Sequence, residues 1–87
     1  MPKIGVRGSI SFYMYYGELS GGHYIPHFHA VCQGQEVSVS ILSGKAFAGK
    51  MKKPHLKKVL KWGRLNQRAL TKAWKLAKEG KPIPWIG

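Results

Sequence analysis

His27 and His29, two residues apart with Phe28 between them, have the type and spacing for acid–base chemistry. The stretch Pro26-His27-Phe28-His29-Ala30 opens a run with strand character. In a strand, alternate side chains share a face, so the two histidines stand together about 6–7 Å apart and Phe28 points the other way, into a core. Near neutral pH, imidazoles serve as base and acid, which is what metal-independent RNA cleavage asks of two groups flanking one phosphate. A cation such as Lys45, Lys50 or Arg64 would stabilise the developing charge. The pattern places no acid to orient the rings. The same residues allow two other readings. His23, His27 and His29 meet the ligand count of a catalytic zinc, although the net positive charge opposes a dication. In the third reading the pair is structural, with His27 tying down the loop before it. Neither the cleavage nor the structural reading needs a cofactor.

Charge is the second chemical signal. Fifteen Lys and Arg face three acids, Glu18, Glu36 and Glu79, for a formal +12 over 87 residues. Twelve of the fifteen cations lie between 50 and 81, so the charge belongs to one part of the chain. A surface of this kind attracts polyanions: nucleic acid, an acidic lipid surface or an acidic protein, of which the lipid is set aside because the basic stripe lacks a separate exposed apolar face. Lys57, Lys61, Arg64, Arg68, Lys72 and Lys75 recur at helical spacing and, with Lys45 and Lys50, are the expected nucleic-acid contacts. The single cysteine, Cys32, excludes an internal disulfide and reads as a buried thiol. No run approaches a membrane span, and the expectation is a cytoplasmic protein.

The elements that must hold these groups follow from periodicity. Residues 10–16 alternate, with Ile10, Phe12, Met14 and Tyr16 on one face. Residues 17–26 read as a loop. Residues 28–33 and 36–42 form two strands about a turn at Gln33-Gly34-Gln35, which sets Val37, Val39 and Ile41 inward and Ser38 and Ser40 beside the histidines. The segment around Phe47 is a further short strand or a loop. From Pro54 to Lys78 the pattern is helical, with an apolar stripe of Leu56, Val59, Leu60, Leu70, Trp74 and Ala77. Gly63 and Asn66 mark where that helix would kink or break, but the stripe keeps phase and favours one long helix. His55, in its first turn, reads as a surface residue. Residues 83–86 are apolar and could dock on the sheet or on a partner.

These features together resemble the small bacterial family called domain of unknown function 4160. The matching features are Met1-Pro2, the aromatic strand from Phe12 to Tyr16, Pro26 to Ala30, Leu56 to Trp62, and Trp74 to Gly80-Lys81-Pro82. The resemblance implies a toxin-like protein of bacterial toxin–antitoxin-type operons, encoded beside another small protein. This chain departs from the pattern in two places. Its loop before the motif is Gly-Gly-His-Tyr-Ile where members carry acidic or Asn residues, and its helix lacks their balancing glutamates.

The expectation is thus a single α+β domain over 1–87. A small antiparallel sheet of three to four strands packs against one long C-terminal helix. The expected function is RNA cleavage by His27 and His29 in a toxin paired with an acidic antitoxin-like protein. A non-catalytic basic module, binding nucleic acid or an acidic partner through the helix, is the alternative.

Overall fold

In a computed structural model, residues 2–15 and 25–87 are described. Five strands form an antiparallel meander in chain order: β1 (Lys3–Arg7), β2 (Ile10–Tyr13), β3 (His27–Cys32), β4 (Gln35–Ser40) and β5 (Ala46–Gly49). Two helices follow, α1 (Lys53–Leu65) and α2 (Gln67–Lys78).

The β3–β4 hairpin sets the register of the centre. Cys32 pairs with Gln35, leaving a two-residue turn in which Gln33 and Gly34 have φ of 50° and 78°. Positive φ at both central positions is the turn that matches the natural strand twist. Counting back from it pairs Ala30 with Val37, His29 with Ser38, Phe28 with Val39 and His27 with Ser40. One face of the sheet is therefore apolar, with Phe12, Met14, Phe28, Ala30, Val37, Val39 and Ile41 all buried. The other face carries Tyr13, His27, His29, Glu36, Ser38 and Ser40.

The helices cover the apolar face. Val59 and Trp62 of α1, and Leu70, Ala73, Trp74 and Ala77 of α2, join the strand residues in one core. Trp62 stacks on Phe12, with centroids 3.8 Å apart and planes within 5°, and meets the Phe28 ring edge-on at 5.4 Å. Burying each large side chain of this kind contributes roughly 1.5–3 kcal/mol.

Two features correct the sequence expectation. The sheet has five strands, not three to four. β5 is Ala-Phe-Ala-Gly, with all four residues exposed in part and no apolar alternation. Backbone pairing with β4 makes it a strand, through a register shift between Ser38 and Val39. Neither is visible as a periodicity. The long C-terminal helix is also two helices of 13 and 12 residues. The break falls at Asn66, whose φ and ψ of −112° and 19° leave the helical region. Its Nδ2 donates to the Trp62 carbonyl at 2.9 Å, and its backbone N–H donates to the same oxygen at 3.0 Å. Because one residue interrupts the count, the apolar period runs through the break and conceals it. Gly63 lies inside α1: a Cβ there would come within 2.9 Å of the Phe28 ring. That glycine allows close packing and does not break the helix.

Gln67 then anchors the start of α2, its Nε2 donating to the carbonyls of Ile41 and Leu42 at 3.0 and 3.2 Å. The residues after α2 return to the sheet. The N–H groups of Ile86 and Gly87 donate to the Ile4 carbonyl, and Val6 N–H donates to Gly87 O. That backbone lies along β1, while the Trp85 side chain stays exposed. No helix of the described residues is long and apolar enough to cross a membrane.

Candidate histidine site and nucleic-acid interface

The motif Pro-His-Phe-His-Ala places its aromatic and its histidines on opposite faces at the start of β3. Phe28 is in the core against Trp62 and Gly63. His27 and His29 are on the other face, yet only 8% and 7% exposed. Their rings meet edge to face, 5.1 Å between centroids. Tyr15 lies 4.6 Å from His29, and Phe47 and Trp74 lie 5.5 and 5.3 Å from His27. The pair thus sits in an aromatic nest drawn from β3, β5, α2 and the residues after β2.

Hydrogen bonds fix how each ring is held. His27 Nδ1 contacts the Ile25 carbonyl, which only accepts, so Nδ1 carries the proton. His29 Nδ1 lies 3.0 Å from Glu36 Oε2 and 3.2 Å from Ser38 Oγ. The carboxylate also only accepts, so the Nδ1–H donates there as well. In both neutral rings Nε2 is therefore the acceptor nitrogen, the tautomer a general base requires.

Glu36 was the residue the sequence pattern did not place. The two-residue turn contains the signal. If Cys32 pairs with Gln35, then Val31 pairs with Glu36 and His29 with Ser38, and Glu36 becomes the diagonal neighbour of His29 on one face.

The predicted cations fall into separate groups. Lys57 and Lys61 lie on α1, which packs against the Phe28 face, so the sheet stands between them and the histidines. Lys45 is nearer: its carbonyl accepts from Ser40 N–H at 2.9 Å, and Ser40 is the residue opposite His27. The Arg64 stem approaches the same turn, its Cγ 3.7 Å from where a Cβ at Gly44 would lie. Lys50 follows β5, its N–H donating to the Glu36 carbonyl. Arg68, Lys72 and Lys75 line one side of α2. All of these cations are exposed. Among the described residues, the carboxylates with ion pairs are Glu36, on His29, and Glu79, on Lys81 at 3.3 Å. None of the cations from Lys45 to Lys75 meets a carboxylate there.

His23, third ligand of the zinc reading, and most of the loop 17–26 lie outside the described residues. Among the described residues, no three His, Cys, Asp or Glu side chains gather as a metal site. Cys32 is buried, its Sγ 3.5 Å from Ser9 Oγ. His55, expected at the surface, is half-buried, and its Nδ1 is buried with no hydrogen-bond partner.

No curated protein and no solved structure matches the chain. A family model does match, over residues 9–75, and that span holds the aromatic strand, the histidine motif, the β3–β4 hairpin, β5, α1 and most of α2. The chain belongs to the family described as Domain of unknown function (DUF4160).

Proposed function

We propose that this protein binds RNA through the cations of its two helices, as the RNA-directed member of a toxin–antitoxin-type pair. One observation carries the reading: from Lys45 to Lys75 every cation is exposed and without a carboxylate partner among the described residues. Unneutralised, regularly spaced positive charge is poorly explained by folding, because it repels itself. It suits a phosphate backbone, where each contact releases a counterion. Arg68, Lys72 and Lys75 recur on one side of α2 and track along it.

A second reading has its own support. His27 and His29 each carry a proton on Nδ1, Glu36 orients one of them, and Lys45 and Arg64 stand at the adjoining turn. That set suits metal-independent cleavage of a phosphodiester with one neutral ring as base, the other as acid once protonated at Nε2, and a cation on the phosphate. Burial to 8% and 7% weighs against it, because a substrate 2′-hydroxyl must come within hydrogen-bond reach of a ring nitrogen.

Fluorescence anisotropy with a short labelled single-stranded RNA tests the first reading. Affinity should fall steeply between about 50 and 200 mM salt. The triple variant Arg68→Glu, Lys72→Glu, Lys75→Glu should bind far more weakly, with a log–log salt slope shallower by about 2. Wild-type affinity in that variant would remove the helix from the interface. Cleavage of the same RNA by wild type, abolished by His29→Ala in a protein that still binds, would establish the second reading.

A further inference from the structure

A cation-rich hollow lies away from the histidine pair. It is a cleft of about 430 Å³ between the β1–β2 turn and α1 from His55 to Trp62. Arg7, Gly8, Ser9 and Ile10 form one wall, and His55, Lys58, Lys61 and Trp62 form the other. We propose that this cleft is a phosphate-binding site, taking either a phosphomonoester or one phosphodiester of a polynucleotide. The inference rests on the RNA reading for the class of ligand, but the cleft is distinct from the α2 stripe.

The argument starts from spacing. His55, Lys58 and Lys61 recur every three residues, which stacks them on one side of α1. They face the two-residue turn at 8–9, where Gly8 has φ of 60°. That turn brings Arg7 and the Ser9 hydroxyl to the opposite wall. Three cations from two elements converge on one hollow, and no carboxylate lines it. Ile10 and Trp62 make its floor rigid. Ile10 is 1% exposed, and Trp62 is clamped between its stack on Phe12 and a bond from Nε1 to Gly87 O at 3.3 Å.

The second observation is His55. A buried ring nitrogen with no partner carries an uncompensated desolvation cost. Such an atom persists where something else completes it, and here it lies in the wall of a cationic hollow. Its Nδ1 has no exposed surface, so a phosphate oxygen would accept from it only after a small rotation of the ring toward the hollow, and the charge of Arg7, Lys58 and Lys61 carries the site. The guanidinium of Arg7 supplies the planar fork that pairs with two phosphate oxygens, and Lys58 and Lys61 supply point charge.

NMR titration of the full chain tests the proposal, using inorganic phosphate, adenosine 5′-monophosphate and a short RNA with a 5′-hydroxyl, against chloride at matched ionic strength. Phosphate or the mononucleotide should give saturable shifts at the amides of Arg7 to Ile10 and of His55 to Trp62. Saturation by the monoester at tenfold lower concentration than by the 5′-hydroxyl RNA would identify a terminal phosphate as the source; the reverse order would identify the backbone. Arg7→Ala with Lys58→Ala, both exposed positions, should weaken phosphate binding at least tenfold. His55→Phe, which keeps a ring and removes its nitrogens, should weaken it several-fold. Arg68→Glu, Lys72→Glu, Lys75→Glu should leave it within twofold. Linear shifts without saturation, or equal losses in the α1 and α2 variants, would overturn the site. RNA bound while phosphate, mononucleotide and RNA alike leave the cleft amides unmoved would overturn the site and leave the RNA reading standing. Phosphate saturating the cleft with no RNA binding would support the site and end the RNA reading.

Discussion

His29 and His55 are the same residue type in opposite circumstances. His29 is 7% exposed, its Nδ1 held by Glu36 and Ser38 and its ring packed against Tyr15 and His27. His55 is half-buried in a wall with Lys58 and Lys61, and its Nδ1 has no partner. A motif histidine draws notice because of its spacing. Spacing, however, does not show whether the ring's hydrogen-bonding capacity is already spent within the fold. At His29 it is largely spent on positioning. At His55 one nitrogen is unspent and the surroundings are cationic. Different regions thus carry different work: a closed aromatic nest around the histidine pair, to which Trp74 of α2 contributes, and an open basic surface on the helical layer.

The sharpest way to break this contrast is to remove each side in turn. The triple α2 charge reversal should lower RNA affinity by about a hundredfold or more, as expected for losing several phosphate contacts, while leaving the melting temperature nearly unchanged. His29→Ala should do the opposite. It removes a buried ring and leaves Ser38 facing the vacated space, for a loss of about 2–4 kcal/mol. In a domain of this size that lowers Tm by roughly 10–25 °C, readable by thermal melting, with RNA affinity retained in the folded protein. A stable His29→Ala variant that no longer acts on RNA would reverse the assignment of roles.

A smaller effect is expected at Gly63→Ala. Helix propensity favours alanine by about 1 kcal/mol. The new Cβ would press to 2.9 Å from Phe28, a fully buried ring, and overpacking costs about 1–3 kcal/mol. The net should be a loss of about 1 kcal/mol by denaturant unfolding; a clear gain would show that the Phe28–α1 seam is looser than described. Glu36→Gln should matter least, at most about 0.5–1 kcal/mol, because the Glu36 side chain is 51% exposed and solvent screens its pair with His29. A larger loss would mean that the carboxylate is a principal support of the nest.

The strand pattern legible from 28 to 42 became β3 and β4, and the inward residues Phe28, Val37, Val39 and Ile41 became core, because period-two alternation is a local property. Trp62 was off the apolar stripe drawn through Leu56, Val59 and Leu60, yet it stacks on Phe12 at 3.8 Å. A stripe drawn for one straight helix does not show which way a shorter one faces. Glu36 beside His29 was implicit in the turn at Gln33 and Gly34, but only a committed register reveals a diagonal neighbour.

Composition and spacing alone determined the charge, the half of the chain that carries it, the hairpin around the histidine motif and the face each histidine takes. Those follow from residue type and from periods of two and about 3.6. The tertiary structure decided the rest. Backbone pairing made β5, the non-helical backbone of Asn66 ended α1, and packing from separate elements closed a nest around His27 and His29. The cleft of Arg7, Ser9, His55, Lys58 and Lys61 joins residues about fifty apart in the chain. Such a juxtaposition is set by how α1 docks on the sheet, and no local pattern encodes it.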